Sequence, residues 1–168
     1  TNEGQSWSRP TLCIPAPGYF CVNNDRVIQL KGGRLVMPAG WHRNNLPPPG
    51  PDVPMYTALD FRAIAMFFLS DDAGRTWREA RDWWALPVRS GSGLQEPGAV
   101  ELSDGRVYAH ARTDVGCHYK MLSEDQGETW TAPRPSVVRA PCSPLCMKRI
   151  PVNGDLLAIW NDHSGRLA

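Results

Sequence analysis

The sequence lacks any stretch approaching the ~20 consecutive apolar residues that a membrane-crossing helix needs, and its apolar runs are short. A membrane partner is therefore not expected. It also lacks a surplus of charge, because 18 Lys and Arg stand against 17 Asp and Glu for a net charge of +1. That leaves no basic field for nucleic acid. The five cysteines, Cys13, Cys21, Cys117, Cys142 and Cys146, are odd in number and form no C-x-x-C pair. Neither a disulfide framework nor a zinc site is indicated, and the thiols read as buried or idle. No spacing of residues implies a metal or an organic cofactor. The chain opens on TNEGQSW with neither a methionine nor a visible signal peptide, which leaves the compartment undecided.

What is present is globular: 42% hydrophobic and 21% charged residues over 168 positions. Sixteen prolines, fifteen glycines and seven tryptophans, set between short apolar runs, favour short strands joined by turns. The expected class is all-β. Residues 94–130 concentrate the signal. Gly98 to Leu102 alternates, Asp104-Gly105 offers the positive φ angles of a two-residue hairpin, and Val107 to Ala111 returns. A third strand, His118 to Leu122, then runs into a turn of the form S-x-D-x-G-x-T-W, in which Asp125 folds back on backbone N–H groups, Gly127 turns left-handed and Trp130 packs beneath.

This unit recurs. The same turn stands at 70–77, with Asp72, Gly74 and Trp77, and its tail opens the chain as Asn2, Gly4, Ser6 and Trp7. The hairpin VIQLKGGRLV repeats AVELSDGRVY, and a third hairpin turns at Asn153-Gly154. Such spacing is the signature of propeller blades. The expected organisation is one partial β-propeller over 1–168: 1–17 the end of one blade and a connection, 18–93 a second blade, 94–140 a third, and 141–168 the start of another. Exposed blade flanks would then favour self-association, most simply as a dimer.

Two-residue turns fix a register by counting outward. Ser103 opposite Arg106 brings Pro97 opposite Arg112 and leaves Glu96 beside the guanidinium; the other hairpins pair Asn24 with Trp41 and Cys146 with Asn161. Glu96, Arg112, Trp41, His42, Asn161, Asp162 and His163 are thereby expected on one face, below a proline-rich excursion at 43–56. The S-x-D-x-G-x-T-W turns fall on the opposite face and read as structural.

At these residues the chain resembles the sialidase (neuraminidase) superfamily, six-bladed propellers whose turns of this kind are Asp-boxes, or BNR repeats. The order VIQLKGGRLVMPAGWH, then a Glu before one strand and an Arg ending the next, then PCSPLCMKRI, is similar to the third, fourth and opening fifth blades of that family. The resemblance implies that Glu96 polarises a tyrosine nucleophile. It implies that Arg112 belongs to the arginine triad gripping the substrate carboxylate, and that Trp41, His42 and Gln95 contact the sugar. Tyrosine suits an anomeric carbon bearing a carboxylate, where an anionic nucleophile is repelled, and arginine offers a planar, permanently charged fork. No residue matches the nucleophile, the aspartate acid or the other two arginines; Tyr19, Tyr56, Tyr108 and Tyr119 stand at other positions. The implied function is a sialidase-like glycoside hydrolase domain or fragment that recognises an anionic sugar and is inactive alone. The other reading is a non-catalytic carbohydrate-binding or interaction propeller that uses the same face; apart from either, the plainer reading of Glu96 and Arg112 is a structural ion pair at a strand end.

Overall fold

The computed structural model describes residues 2–43 and 59–162. These contain eleven strands and no α-helix, so no helix here is long and apolar enough to cross a membrane. The first sheet joins β1 (Tyr19–Cys21), β3 (Leu35–His42), β4 (Ile64–Ser70) and β5 (Arg78–Glu79), with β2 (Ile28–Gln29) also paired to β3. Since β1 and β2 share one partner, they are a single first strand broken at its middle. The second sheet runs β6 (Gln95–Glu101), β7 (Val107–Arg112), β8 (Cys117–Ser123) and β9 (Arg134–Arg139), all antiparallel. A hairpin of β10 (Cys146–Arg149) and β11 (Leu156–Ile159) follows. The fold is all-β, a partial propeller of the sialidase type. Strand β9 bears Pro135, tolerated because an edge strand has one face of its backbone unpaired.

The hairpin turns differ from the two-residue form read from sequence. Leu102 N donates to Arg106 O at 2.7 Å and Gly105 N to Leu102 O at 3.2 Å, so three residues, 103–105, make the loop. Only Gly105 has a positive φ, 87°; Asp104 instead accepts from Arg106 N at 3.1 Å. Leu30 and Arg34 close the loop 31–33 in the same way around Gly33, φ 92°. This is a three-residue hairpin with its glycine in the left-handed position, and it shifts every pair beyond it by one. Irregularities move the register further. Phe20, not Asn24, lies opposite Trp41, and Ile159, not Asn161, lies opposite Cys146.

The core lies between the two sheets. Phe67 of β4 stacks on Trp130 with ring centroids 3.9 Å apart, amid Val36, Leu69, Leu94, Val107 and Met121. Trp130 also donates Nε1–H to Gly127 O at 3.0 Å, anchoring its own turn. Within that turn Asp125 accepts from Thr129 N at 2.9 Å and Thr129 Oγ1 at 2.6 Å, and Ser123 Oγ accepts from Gly127 N at 2.8 Å. The turn at 70–77 repeats all three bonds through Asp72, Thr76, Ser70 and Gly74. An arginine seam ties the two turns together: Arg34 grips Asp71 and Glu128, and Arg78 also bonds Glu128.

Candidate functional site

Strand β6 leaves its ladder between Gln95 and Gly98, where the register to β7 shifts. Gln95 is opposite Arg112, and Gly98 is opposite His110. Glu96 occupies the bulge with φ +48°, a left-handed conformation that costs a non-glycine residue on the order of 1 kcal/mol. Non-glycine outliers of this kind gather where the surrounding structure enforces a side-chain direction. Here the direction is toward Arg112, whose Nη1 lies 3.4 Å from Glu96 Oε1 with both side chains half-buried. The other carboxylate oxygen, Oε2, is buried and has no hydrogen-bond partner among the described residues. Such an oxygen is a desolvated acceptor facing no donor.

Arg112 is held from behind. Its Nε and Nη2 donate to Gln95 Oε1 at 3.0 and 2.6 Å, and Gln95 Nε2 donates to Phe61 O at 2.8 Å. Gln95, expected from the resemblance to touch sugar, thus has both ends of its amide engaged by protein, and it is buried. Of the guanidinium nitrogens, Nη1 is the one beside Glu96.

These residues line an open cleft of about 210 Å³ together with Tyr19, Cys21, His42, Leu59 and Phe61. His42 stands in the cleft wall, and its Nδ1 is 3.0 Å from Asp60 O. A carbonyl only accepts, so Nδ1 donates and Nε2 is left to serve as an acceptor when the ring is neutral. Asp60 is itself clamped, its carboxylate accepting from Arg62 and Arg43 at 2.8 Å each. The bonds from Arg62, helped by Arg43, hold that carboxyl well below the usual carboxylate range. A charged, fixed Asp60 keeps 59–62, and with it Phe61, in the cleft wall.

Trp41 departs from its assignment. Alternation along β3 sends it to the face opposite His42, where it stacks on Phe20 beneath Gly18. Asn161 and Asp162 also stay outside the cleft, exposed, with Asp162 4.0 Å from Arg139. His163 and residues 44–56 of the predicted excursion lie outside the described residues. Nothing in the sequence signals that Tyr19, Cys21, Leu59 and Phe61 share this cleft; Tyr19 and Cys21 come there because the interruption of the first strand, not a motif, brings β1 opposite His42. Burial pushes the Cys21 thiol up, and the Glu96 carboxylate adds to that.

Behind the cleft, the Arg26 guanidinium donates to Leu145 O at 2.7 Å and rests over Gly98, where a Cβ would come within 2.7 Å of both Arg26 Nη1 and His110. His110 is fully buried, and burial, reinforced by Arg26, lowers its pKa to about 3. Among the described residues no group of three His, Cys, Asp or Glu is arranged to hold a metal ion.

The BNR repeat-like domain model matches residues 1–167. A sialidase of Micromonospora viridifaciens is 30% identical over 142 residues, covering 77% of this chain and 18% of its own length. The chain therefore spans less than a fifth of that relative. Among solved structures, the NanB sialidase of Streptococcus pneumoniae, in complex with a chlorobenzylammonio-ethanesulfonate, superposes with a TM-score of 0.63 at 23% identity, over 98% of this chain and 23% of that one. A Dyadobacter fermentans protein of unknown function superposes at 0.67 with 21% identity, over 94% and 42% of the two chains. With its Asp-box turns in place and a family model spanning its length, the chain belongs to the BNR repeat-like domain family of the sialidase superfamily.

Proposed function

We propose that this chain carries the part of a sialidase-like glycoside hydrolase that grips the carboxylate of an anionic sugar and polarises a nucleophile. The observation that carries the reading is Glu96. Its backbone is forced left-handed, one carboxylate oxygen faces Arg112, and the other is buried without a donor among the described residues. Arg112 presents a guanidinium edge suited to a carboxylate, in which two N–H groups match two oxygens. The unpartnered Glu96 oxygen is placed as an acceptor for a hydroxyl; accepting from a tyrosine O–H would increase that oxygen's nucleophilicity. His42 and Phe61 supply one polar and one apolar wall for the ring substituents.

No tyrosine of this sequence matches the family's nucleophile, so the chain alone binds without hydrolysing. Titration with N-acetylneuraminic acid and its 2-deoxy unsaturated analogue, followed by tryptophan fluorescence, tests the reading. Saturable quenching is expected, weakened at least about tenfold in Arg112→Ala, the loss of one charge-assisted pair. Absence of saturation with wild type, or equal binding by the variant, would refute it. A fluorogenic sialoside should stay uncleaved by the chain alone; cleavage would show that a nucleophile was missed.

A further inference from the structure

We infer that Gln95 is a positioning residue for Arg112: its amide sets which edge of the guanidinium faces the cleft and ties that edge to the Phe61 wall. Three bonds carry the inference. Gln95 Oε1 takes both Nε–H and Nη2–H of Arg112, which occupies the side-on edge, while Gln95 Nε2 holds Phe61 O. Rotation of the guanidinium about its stem would break two of these at once and leave a buried amide oxygen with only the weak Cys142 thiol, 4.0 Å away, as donor, which is costly. That leaves Nη1 and the second N–H of Nη2 free of Gln95, with Nη1 beside Glu96 in the cleft lining. An amide suits the task better than a carboxylate. It is neutral, so it orients the arginine without cancelling the charge a sugar carboxylate must meet, and it donates as well as accepts.

The same amide couples two walls of the cleft. Phe61 belongs to 59–62, held by Asp60 on the first sheet's side, whereas Arg112 ends β7 of the second. Gln95 bridges them, so displacing either shifts the distance between the charged grip and the apolar wall. The bulge explains why this falls to Gln95: an unbroken ladder would set Glu96 opposite Arg112, and the register shift sets Gln95 there instead.

The consequence for ligand binding rests on Arg112 being the sugar-carboxylate partner; the orientation of the guanidinium does not, and the experiment separates the two. In the ¹⁵N-labelled full chain at mildly acid pH, the Arg112 Nε–H signal is identified by its loss in Arg112→Lys. It is expected to exchange with solvent at least about tenfold more slowly than that of the exposed Arg89. Gln95→Met keeps the length and removes the acceptor; exchange should accelerate about tenfold, and binding of N-acetylneuraminic acid should weaken by a similar factor. Gln95→Glu restores the acceptor, so exchange stays slow, but it neutralises the arginine, so binding stays weak. A residue that served only to hold the fold would move both readouts together. Fast Arg112 exchange in wild type, or exchange unchanged in Gln95→Met, overturns the inference. Should Gln95→Met melt too low to study, the comparison of Arg112 with Arg89 in wild type decides. Failure of the wild type to bind the sugar would overturn the reading of Arg112, and the exchange rates would still judge Gln95.

Discussion

The two sheets are copies that agree at one end and part at the other. Laying VIQLKGGRLV over AVELSDGRVY sets Gly33 on Gly105, and both turn identically, with φ 92° and 87°. At the far end the same alignment sets Asn24 on Glu96, Arg26 on Gly98, Pro38 on His110 and Gly40 on Arg112. Two of these differences, at Glu96 and Arg112, fall in the cleft lining, and the other two lie behind it. Glu96 and Arg112 face each other in the second copy, where the first has Asn24 and Gly40. The exchange of Arg26 for Gly98 is complementary, because the arginine of one copy rests in the space its glycine counterpart leaves open. Both first strands lose register at this end, at Asp25 with φ 62° and at Glu96 with φ 48°. A repeat can vary this end freely because the turns that define it lie at the other.

Breaking the Asp-boxes should give the largest effect and should separate the copies. Their hydrogen bonds are the same, but Trp130 is 4% exposed against Phe67, while Trp77 is only partly covered. Trp130→Ala should cost about 3–5 kcal/mol in urea unfolding. Trp77→Ala should cost roughly 1–2 kcal/mol, in proportion to the smaller area it buries. Equal losses would mean that the local turn, not the inter-sheet core, sets stability.

The histidine that stands where the first copy has Pro38 should make stability depend on acid. His110 binds its proton at about 3 in the folded chain and near the usual 6.5 when unfolded. Its contribution is complete above 6.5 and is lost as pH falls toward 3, since the unfolded chain takes up the proton first. Between pH 6 and 4 this amounts to about 2–3 kcal/mol. Thermal melting of wild type against His110→Leu should show the variant with the flatter pH profile; parallel profiles would contradict it.

The smallest effect should have the opposite sign. Glu96→Gly relieves the left-handed strain and removes a buried, unpartnered carboxylate oxygen, so stability should rise by up to about 1 kcal/mol. Its sugar binding should change independently of that gain, because the bulge persists while the carboxylate beside Arg112 is lost. A destabilised Glu96→Gly would show that the ion pair with Arg112 outweighs the strain.

Most of the architecture was legible because its causes are local. An aspartate that accepts two bonds from a threonine four residues on, and a glycine free to turn left-handed, need nothing beyond their neighbours. The adjacency of Glu96 and Arg112 was legible for a related reason: they lie near the open ends of neighbouring strands. Their alignment was not. The three-residue loop and the bulge each shift register by one, and counting from the turn cannot see an irregularity on the way. Trp41 was misassigned to the cleft because adjacent strand residues point to opposite faces, and His42 took the cleft side.

The sequence by itself determined an all-β chain of Asp-box repeats and the identity of the two charged residues at its candidate site, because turn chemistry and strand alternation act over a few residues. Only the tertiary structure decided that Gln95 stands behind Arg112, that Tyr19, Cys21 and Phe61 share its cleft, and that Arg26 lies over Gly98. Those contacts join strands of different sheets, and they depend on where each first strand breaks, which follows from how the sheets pack and not from any local spacing.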